Sequence, residues 1–285
     1  MAGQSTTAAT VADKMRAAWA LLYVAIVTSL TVAYLPELAV VLTGGVDPGW
    51  WIAVLIPAAV ILIALVGARI AREPIKAGSE ARSLVLSAAP VGLVGVCASL
   101  ALAWAAGVAV IGARGGTLGS LLLVGTLLIA FAAVAEEVLL RGFLQPLLVR
   151  AWGPVAGIAF ASATFAMIHV IGGWREPVSL FNIFVGGLWF GLLAWRTGGI
   201  LAPSLAHVAW NWTEEILFGA TPNTGVGAYG ALIDVDLVGS PLWGGSPDGL
   251  NGSLILTVVL ALLILPLILY RATAKTDSVG SAHKA

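Results

Sequence analysis

Long apolar runs separated by short polar breaks dominate the chain. Runs near 17–36, 50–70, 83–112, 118–150, 153–172, 180–196, 199–218 and 252–271 approach or exceed the roughly 20 apolar residues that cross a bilayer. This pattern predicts an all-α fold, a polytopic membrane bundle of about eight transmembrane helices. The third and fourth runs exceed the membrane thickness, so they are expected to tilt or project. The organisation that follows is an N-terminal segment at 1–16, three helices within 17–112, a core of four helices within 113–218, a loop at 219–251, a last helix at 252–271 and a disordered tail at 272–285. The loop is rich in Gly, Pro, Asn and Asp and has no Lys or Arg; its apolar pieces, such as 232–237, are expected to fold back over the bundle.

Composition sharpens this reading. The chain is 60% hydrophobic and 10% charged, against about 25% charged for a soluble domain. Its formal net charge is zero, which gives no basis for nucleic-acid binding. With the N-terminus inside and an even number of spans, 12 of the 14 Lys and Arg residues fall on the inner side, leaving only Arg114 and Arg175 outside. Both termini are therefore expected in the cytoplasm. Lys14 and Arg16 precede the first run as in a signal peptide, but that run is too long for one and is read as a retained helix. The Ala, Gly and Trp richness suits a bacterial plasma membrane. The lone Cys97 has no partner for an internal disulfide and reads as a small buried apolar residue.

A few polar positions interrupt the apolar runs. Residues 118–135 carry no charge, and then Glu136 and Glu137 occur together. A charge in a membrane helix costs roughly 2.5–3.5 kcal/mol even on the lenient insertion scale, so such groups face a bundle interior and mark function. Glu137 and Arg141 stand at i,i+4 with the acid first, the favoured order for an ion pair. Glu136 has only Leu140 at i+4 and remains available as a general base or acid. Gly153 lies midway between Glu136 and His169, in the turn signal Trp152-Gly153-Pro154. A helical hairpin turning there puts both side chains at one depth, about 25 Å from the turn at 1.5 Å per residue. Phe165, four residues before His169, walls the same face.

His207 and Asn211 share a face of the seventh run, and both can donate hydrogen bonds to an oxyanion, an interaction worth roughly 3–4 kcal/mol per donor. Gly187 and Gly191 read as a small-xxx-small packing pair, and Asn182 as an interhelical hydrogen bonder. Glu214 and Glu215 read as an interface or loop-facing pair toward the outer end of their helix. His283 lies in the polar tail and is read as uninvolved.

Glu136-Glu137-x-x-x-Arg141, Phe165-x-x-x-His169 and His207-x-x-x-Asn211 together resemble the three motifs of the CAAX prenyl endopeptidase and bacteriocin-processing (CPBP) intramembrane proteases. The segment from Gly187 through Arg196 to Ile200 is similar to the stretch before that family's last motif. The resemblance covers about residues 118–218 and implies peptide-bond cleavage near the membrane, on a membrane-associated protein or peptide. By position, Glu136 would activate water with His169, His207 and Asn211 would form the oxyanion hole, and Glu137, Arg141 and Phe165 would support the site. No cofactor is required by that mechanism. A zinc ion on Glu136, His169 and His207 is the alternative, although the chain lacks His-Glu-x-x-His. Competing readings are a non-catalytic scaffold or bacteriocin-immunity factor of the same fold, and a transporter with a proton relay through Glu136, Glu137 and His169. The polar groups form one layer rather than a path, and no internal repeat is visible; both features disfavour transport.

Overall fold

The computed structural model describes residues 9–44, 51–112, 119–174 and 176–269. The expectations for the tail, including His283, for the first eight residues, and for Arg114 and Arg175 concern residues outside these ranges.

The described chain is mostly helical: α1 (Val11–Leu42), α2 (Trp51–Ala71), α3 (Arg82–Ala105), α4 (Ser120–Glu137), α5 (Gln145–Ile171), α6 (Pro177–Thr197), α7 (Leu201–Asn211) and α8 (Leu254–Leu269). Thr10 starts α1 through a capping box with Asp13, satisfying two donors of its first turn. Among the described residues, five helical stretches are long and apolar enough to cross a membrane, with Ser120–Ile171 taken as one of them. Their outward faces carry large apolar side chains, such as Leu22 on α1 and Leu62 on α2. Such a surface suits lipid and would be a liability in water.

The stretch Ser120–Ile171 is not one rod. Gly153 has φ 80° and ψ 169°, outside the helical region, which glycine reaches without a Cβ penalty. A Cβ on Gly157 would stand 2.5 Å from the backbone nitrogen of Val149, and the rings of Trp152 and Phe160 are 5.2 Å apart. In a straight helix, eight residues separate by about 12 Å, so the chain doubles back at Gly153.

Helix α6 packs on this hairpin through its glycines. A Cβ at Gly187 would meet that of Ser162 at 3.0 Å, and one at Gly191 would meet the Cγ2 of Ile158 at 2.7 Å. The small-xxx-small pair is thus a packing device. Asn182 on α6 donates to the carbonyls of Asn251 and Ser253 and accepts from the Thr257 hydroxyl on α8, matching its expected interhelical role.

The third helix is shorter than the run at 83–112 predicts. It ends at Ala105, and Gly107 follows with φ 72°. Residues 109–111 instead form a strand, β1 (Ala109–Ile111), antiparallel to β2 (Val235–Leu237), with Ala109 opposite Leu237 and Ile111 opposite Val235. The backbone groups freed from the helix find partners in this ladder. The pairing pins the 219–251 segment to the bundle. Ala220, Val235, Leu237 and Leu250 bury into the same apolar cluster as Trp189 and Trp210. Asn223 cross-braces the segment, donating to the carbonyls of Leu237 and Ser246 and accepting from the Leu237 amide.

Two apolar clusters form the core. One joins α3, α6, α7 and α8 with the 219–251 segment, around Trp189, Phe190 and Trp210. The other joins α1, α2 and the α4–α5 hairpin around Phe143, Leu144 and Phe165. The polar residues singled out in the sequence lie at the seam between them.

Candidate active site

The seam begins at the end of α4. The helix continues past Glu137 as a π-helical turn, Val138–Leu144, before resuming as α5. A second π-turn, Trp212–Leu217, follows α7. Such turns are rare and cluster at functional sites; here each adjoins a motif.

Neighbouring residues on a helix point about 100° apart, and Glu136 and Glu137 use that divergence. Glu137 turns inward and is fully buried. Its Oε1 accepts from Arg141 Nη1 at 2.9 Å and from His207 Nδ1 at 2.8 Å. The expected ion pair therefore forms, and the same oxygen reaches a second helix. Arg141, also buried, donates its other terminal nitrogen to the Gly187 carbonyl at 3.0 Å. Its guanidinium lies between the rings of Phe165, 5.0 Å away, and Phe190, 5.5 Å away. Those rings belong to the two different core clusters, so one cation bridges the seam.

Glu136 faces the other way, into a cavity of about 180 Å³ also lined by Phe165, His169, His207 and Asn211. Its Oε2 lies 3.7 Å from His207 Nε2, and its side chain keeps 34% of its surface accessible. Five of the seven site residues expected from sequence thus meet around one space, with Glu137 and Arg141 behind them.

Both histidines are anchored through Nδ1. That of His169 donates to the Phe165 carbonyl at 3.0 Å, one helical turn back, and that of His207 donates to Glu137. Among the described residues neither Nε2 makes a hydrogen bond, and that of His207 lies 3.7 Å from Glu136 Oε2. In a neutral imidazole Nε2 then accepts; in the doubly protonated ring it donates. The two environments differ. His169 packs edge-on against Phe165 and Trp174, with no carboxylate bonded to it among the described residues. His207 sits between the carboxylates of Glu136 and Glu137 and stacks on Phe190 at 4.5 Å.

The structure corrects the reading of Glu214 and Glu215. Glu214 is 4% exposed and accepts from Trp210 Nε1, the Thr221 hydroxyl and the Asn251 amide. It does meet the 219–251 segment, but as a buried anchor. Both glutamates line the cavity beside Asn211. The missed signal was periodicity: His207, Asn211 and Glu215 continue one i,i+4 stripe. Sequence reading also did not single out Trp189, Phe190 and Trp210 as cavity walls.

A match to known proteins falls on this region. The family model for type II CAAX prenyl endopeptidase Rce1-like proteins matches residues 118–213. The matched segment bears all three motifs and covers about a third of the chain, and the match supports the likeness to the CPBP intramembrane proteases. The match supports a CAAX-type intramembrane protease at the level of the family, and with the long apolar helices it makes the chain an integral membrane protein. No curated protein and no solved structure matches the chain.

The zinc alternative asks for three convergent ligands. Among the described residues, no group of three His, Cys, Asp or Glu side chains is placed to hold a metal ion. The mechanism below therefore runs no step through a metal.

Proposed function

We propose that the chain is an intramembrane endopeptidase that hydrolyses a peptide bond of a membrane-associated protein or peptide by a glutamate-activated water. The observation that carries this reading is the gathering of Glu136, His169, His207 and Asn211 around one cavity. Glu136 accepts a proton from water, and His169 Nε2 holds that water by accepting its second hydrogen. The water oxygen attacks the carbonyl carbon. The resulting oxyanion accepts from His207 Nε2–H and from the Asn211 amide. Collapse breaks the C–N bond, and the proton held by Glu136 passes to the leaving nitrogen.

Glu137 has a positioning role in this scheme. Its bond to Nδ1 aims His207. The proposal includes a bacterial plasma membrane, from the Ala, Gly and Trp richness, and cytoplasmic termini, from the distribution of Lys and Arg.

The test compares new peptide N-termini in membranes holding equal amounts of wild type and Glu136→Gln. A general base contributes roughly 10²–10⁴-fold, so cleavage sites seen with the wild type should fall at least about a hundredfold in the variant. Full turnover by a folded Glu136→Gln would refute the base assignment. Identical profiles, with a phenotype that survives the substitution, would establish the scaffold reading instead.

A further inference from the structure

The second half of α2 presents one exposed stripe. Leu62, Leu65, Val66, Arg69 and Ile70 stand at i, i+3, i+4, i+7 and i+8, the spacing of a single helix face, and all five are exposed. The apolar members suit lipid chains, and Arg69 sets a cation at the end of their run.

The helix then closes on an unusual residue. The Glu73 amide donates to the Ala68 carbonyl and the Arg72 amide to the Arg69 carbonyl, and Arg72 has φ 54°. This is a Schellman ending, whose left-handed position is usually glycine. A Cβ there is sterically unfavourable, yet the residue present carries an exposed guanidinium.

Beyond it a non-helical strap leads to α3, with Lys76 and Arg82 exposed along the way. The strap is held. The carbonyls of Lys76 and Ala77 accept from the Ile200 and Leu201 amides, and the Glu80 amide donates to the Thr197 carbonyl. Its cations therefore stand on a fixed frame, which lowers the ordering cost of binding. Among the described residues, the side chains of Arg69, Arg72, Lys76 and Arg82 make no hydrogen bond or ion pair. Glu73 does not offset them, because it is turned inward and bonded to Arg150 at 2.6 Å. The remaining acid of the strap, Glu80, lies against Gly198. Four free cations thus face one acid.

We infer that this corner of the bundle binds an anionic phospholipid. An acyl chain lies along Leu62, Leu65, Val66 and Ile70, the phosphate-bearing head meets Arg69 and Arg72, and Lys76 and Arg82 strengthen the local field. Guanidinium groups suit phosphate because their paired N–H donors match its oxygens. The apolar stripe running into the cations selects a lipid over a soluble anion, which would leave the stripe uncovered. A cation beside a membrane surface is worth about fivefold in affinity for anionic lipid.

The experiment uses the full-length protein in neutral detergent and two probes, phosphatidylglycerol and phosphatidylcholine with the same acyl chains, with bound lipid counted by native mass spectrometry. Phosphatidylglycerol should bind at least about tenfold more tightly. Arg72→Gly puts the favoured residue at the left-handed position, so it should keep or raise stability while lowering the preference about fivefold. Adding Arg69→Gln should bring the two affinities close together. Lys14→Gln with Arg16→Gln, which removes two exposed cations of α1, should leave the preference intact. Equal binding of both lipids by the wild type, or a preference that survives the Arg69 and Arg72 changes, would overturn the proposal. An equal loss in the α1 variant would reveal a diffuse field instead of a site, also contrary to it. Displacement of phosphatidylglycerol by excess inorganic phosphate would reveal a phosphate site with no lipid component and would overturn it as well. None of these readouts involves cleavage, so they stand apart from the outcome for Glu136→Gln.

Discussion

Replacing Glu137 with Gln isolates the positive charge of Arg141, and the structure sets the size of the effect. The two side chains are 2.9 Å apart with no exposed surface on either. The substitution preserves volume and an acceptor oxygen, so it removes charge rather than packing. Breaking a buried pair by removing one member costs about 3–5 kcal/mol. A hydrogen bond between membrane helices averages about 0.6 kcal/mol, so the charge outweighs the bond. The aromatic contacts and the Gly187 carbonyl serve Arg141 before and after the change, and so they do not enter the difference. Among the described residues Arg141 Nε already lacks a partner, which leaves little capacity to compensate.

The expected loss for Glu137→Gln is therefore about 3 kcal/mol, read from unfolding in mixed micelles with increasing SDS. A double-mutant cycle separates the pair from its surroundings. Glu137→Gln with Arg141→Met removes both charges and should destabilise much less than the two single changes summed. A loss below about 1 kcal/mol for Glu137→Gln, or strict additivity in the cycle, would refute the reasoning. Either result would mean that lipid, water or local rearrangement solvates the guanidinium.

Two further outcomes follow from the cavity. A Cβ at Gly186 meets nothing within 4 Å, and this glycine borders the cavity. Gly186→Leu should leave stability unchanged or raise it by roughly 0.5–1 kcal/mol through helix propensity, yet abolish cleavage by filling the space; full turnover in that variant would show that the cavity is not the reaction site. Chelators such as 1,10-phenanthroline should leave turnover on a defined peptide unchanged, and a loss restored by added zinc would overturn the metal-free mechanism.

What the sequence carried was local. The Glu137–Arg141 pair, the turn at Gly153 and the Gly187–Gly191 packing face are each encoded within a few residues, by i,i+4 spacing or by glycine. The contacts missed were of other kinds. The bond from His207 to Glu137 joins residues 70 apart, and no spacing rule reports it. The β1–β2 pairing hides in two three-residue strands, too short for a period-2 pattern, one of them inside an apolar run that reads as helix. The π-turns have no compositional signature. Glu214 and Glu215 were legible in principle, because their stripe with Asn211 continues a helical period. Reading them as the outer end of a span obscured it.

The adjacency of the two glutamates has a physical reason. A water-activating carboxylate must face an open cavity, and an oxyanion-binding imidazole must be held by a partner that faces away from it. Two consecutive helical residues supply both directions from one point on the backbone. Glu136 enters the cavity, and Glu137 reaches behind His207 to the charge of Arg141. Arg141 in turn is clasped by one ring from each core cluster. Movement of either cluster would then shift the donor that faces the substrate. The burial of Glu137 and Arg141, costly as an isolated ion pair, is better understood as the means by which two helical layers hold one imidazole in place.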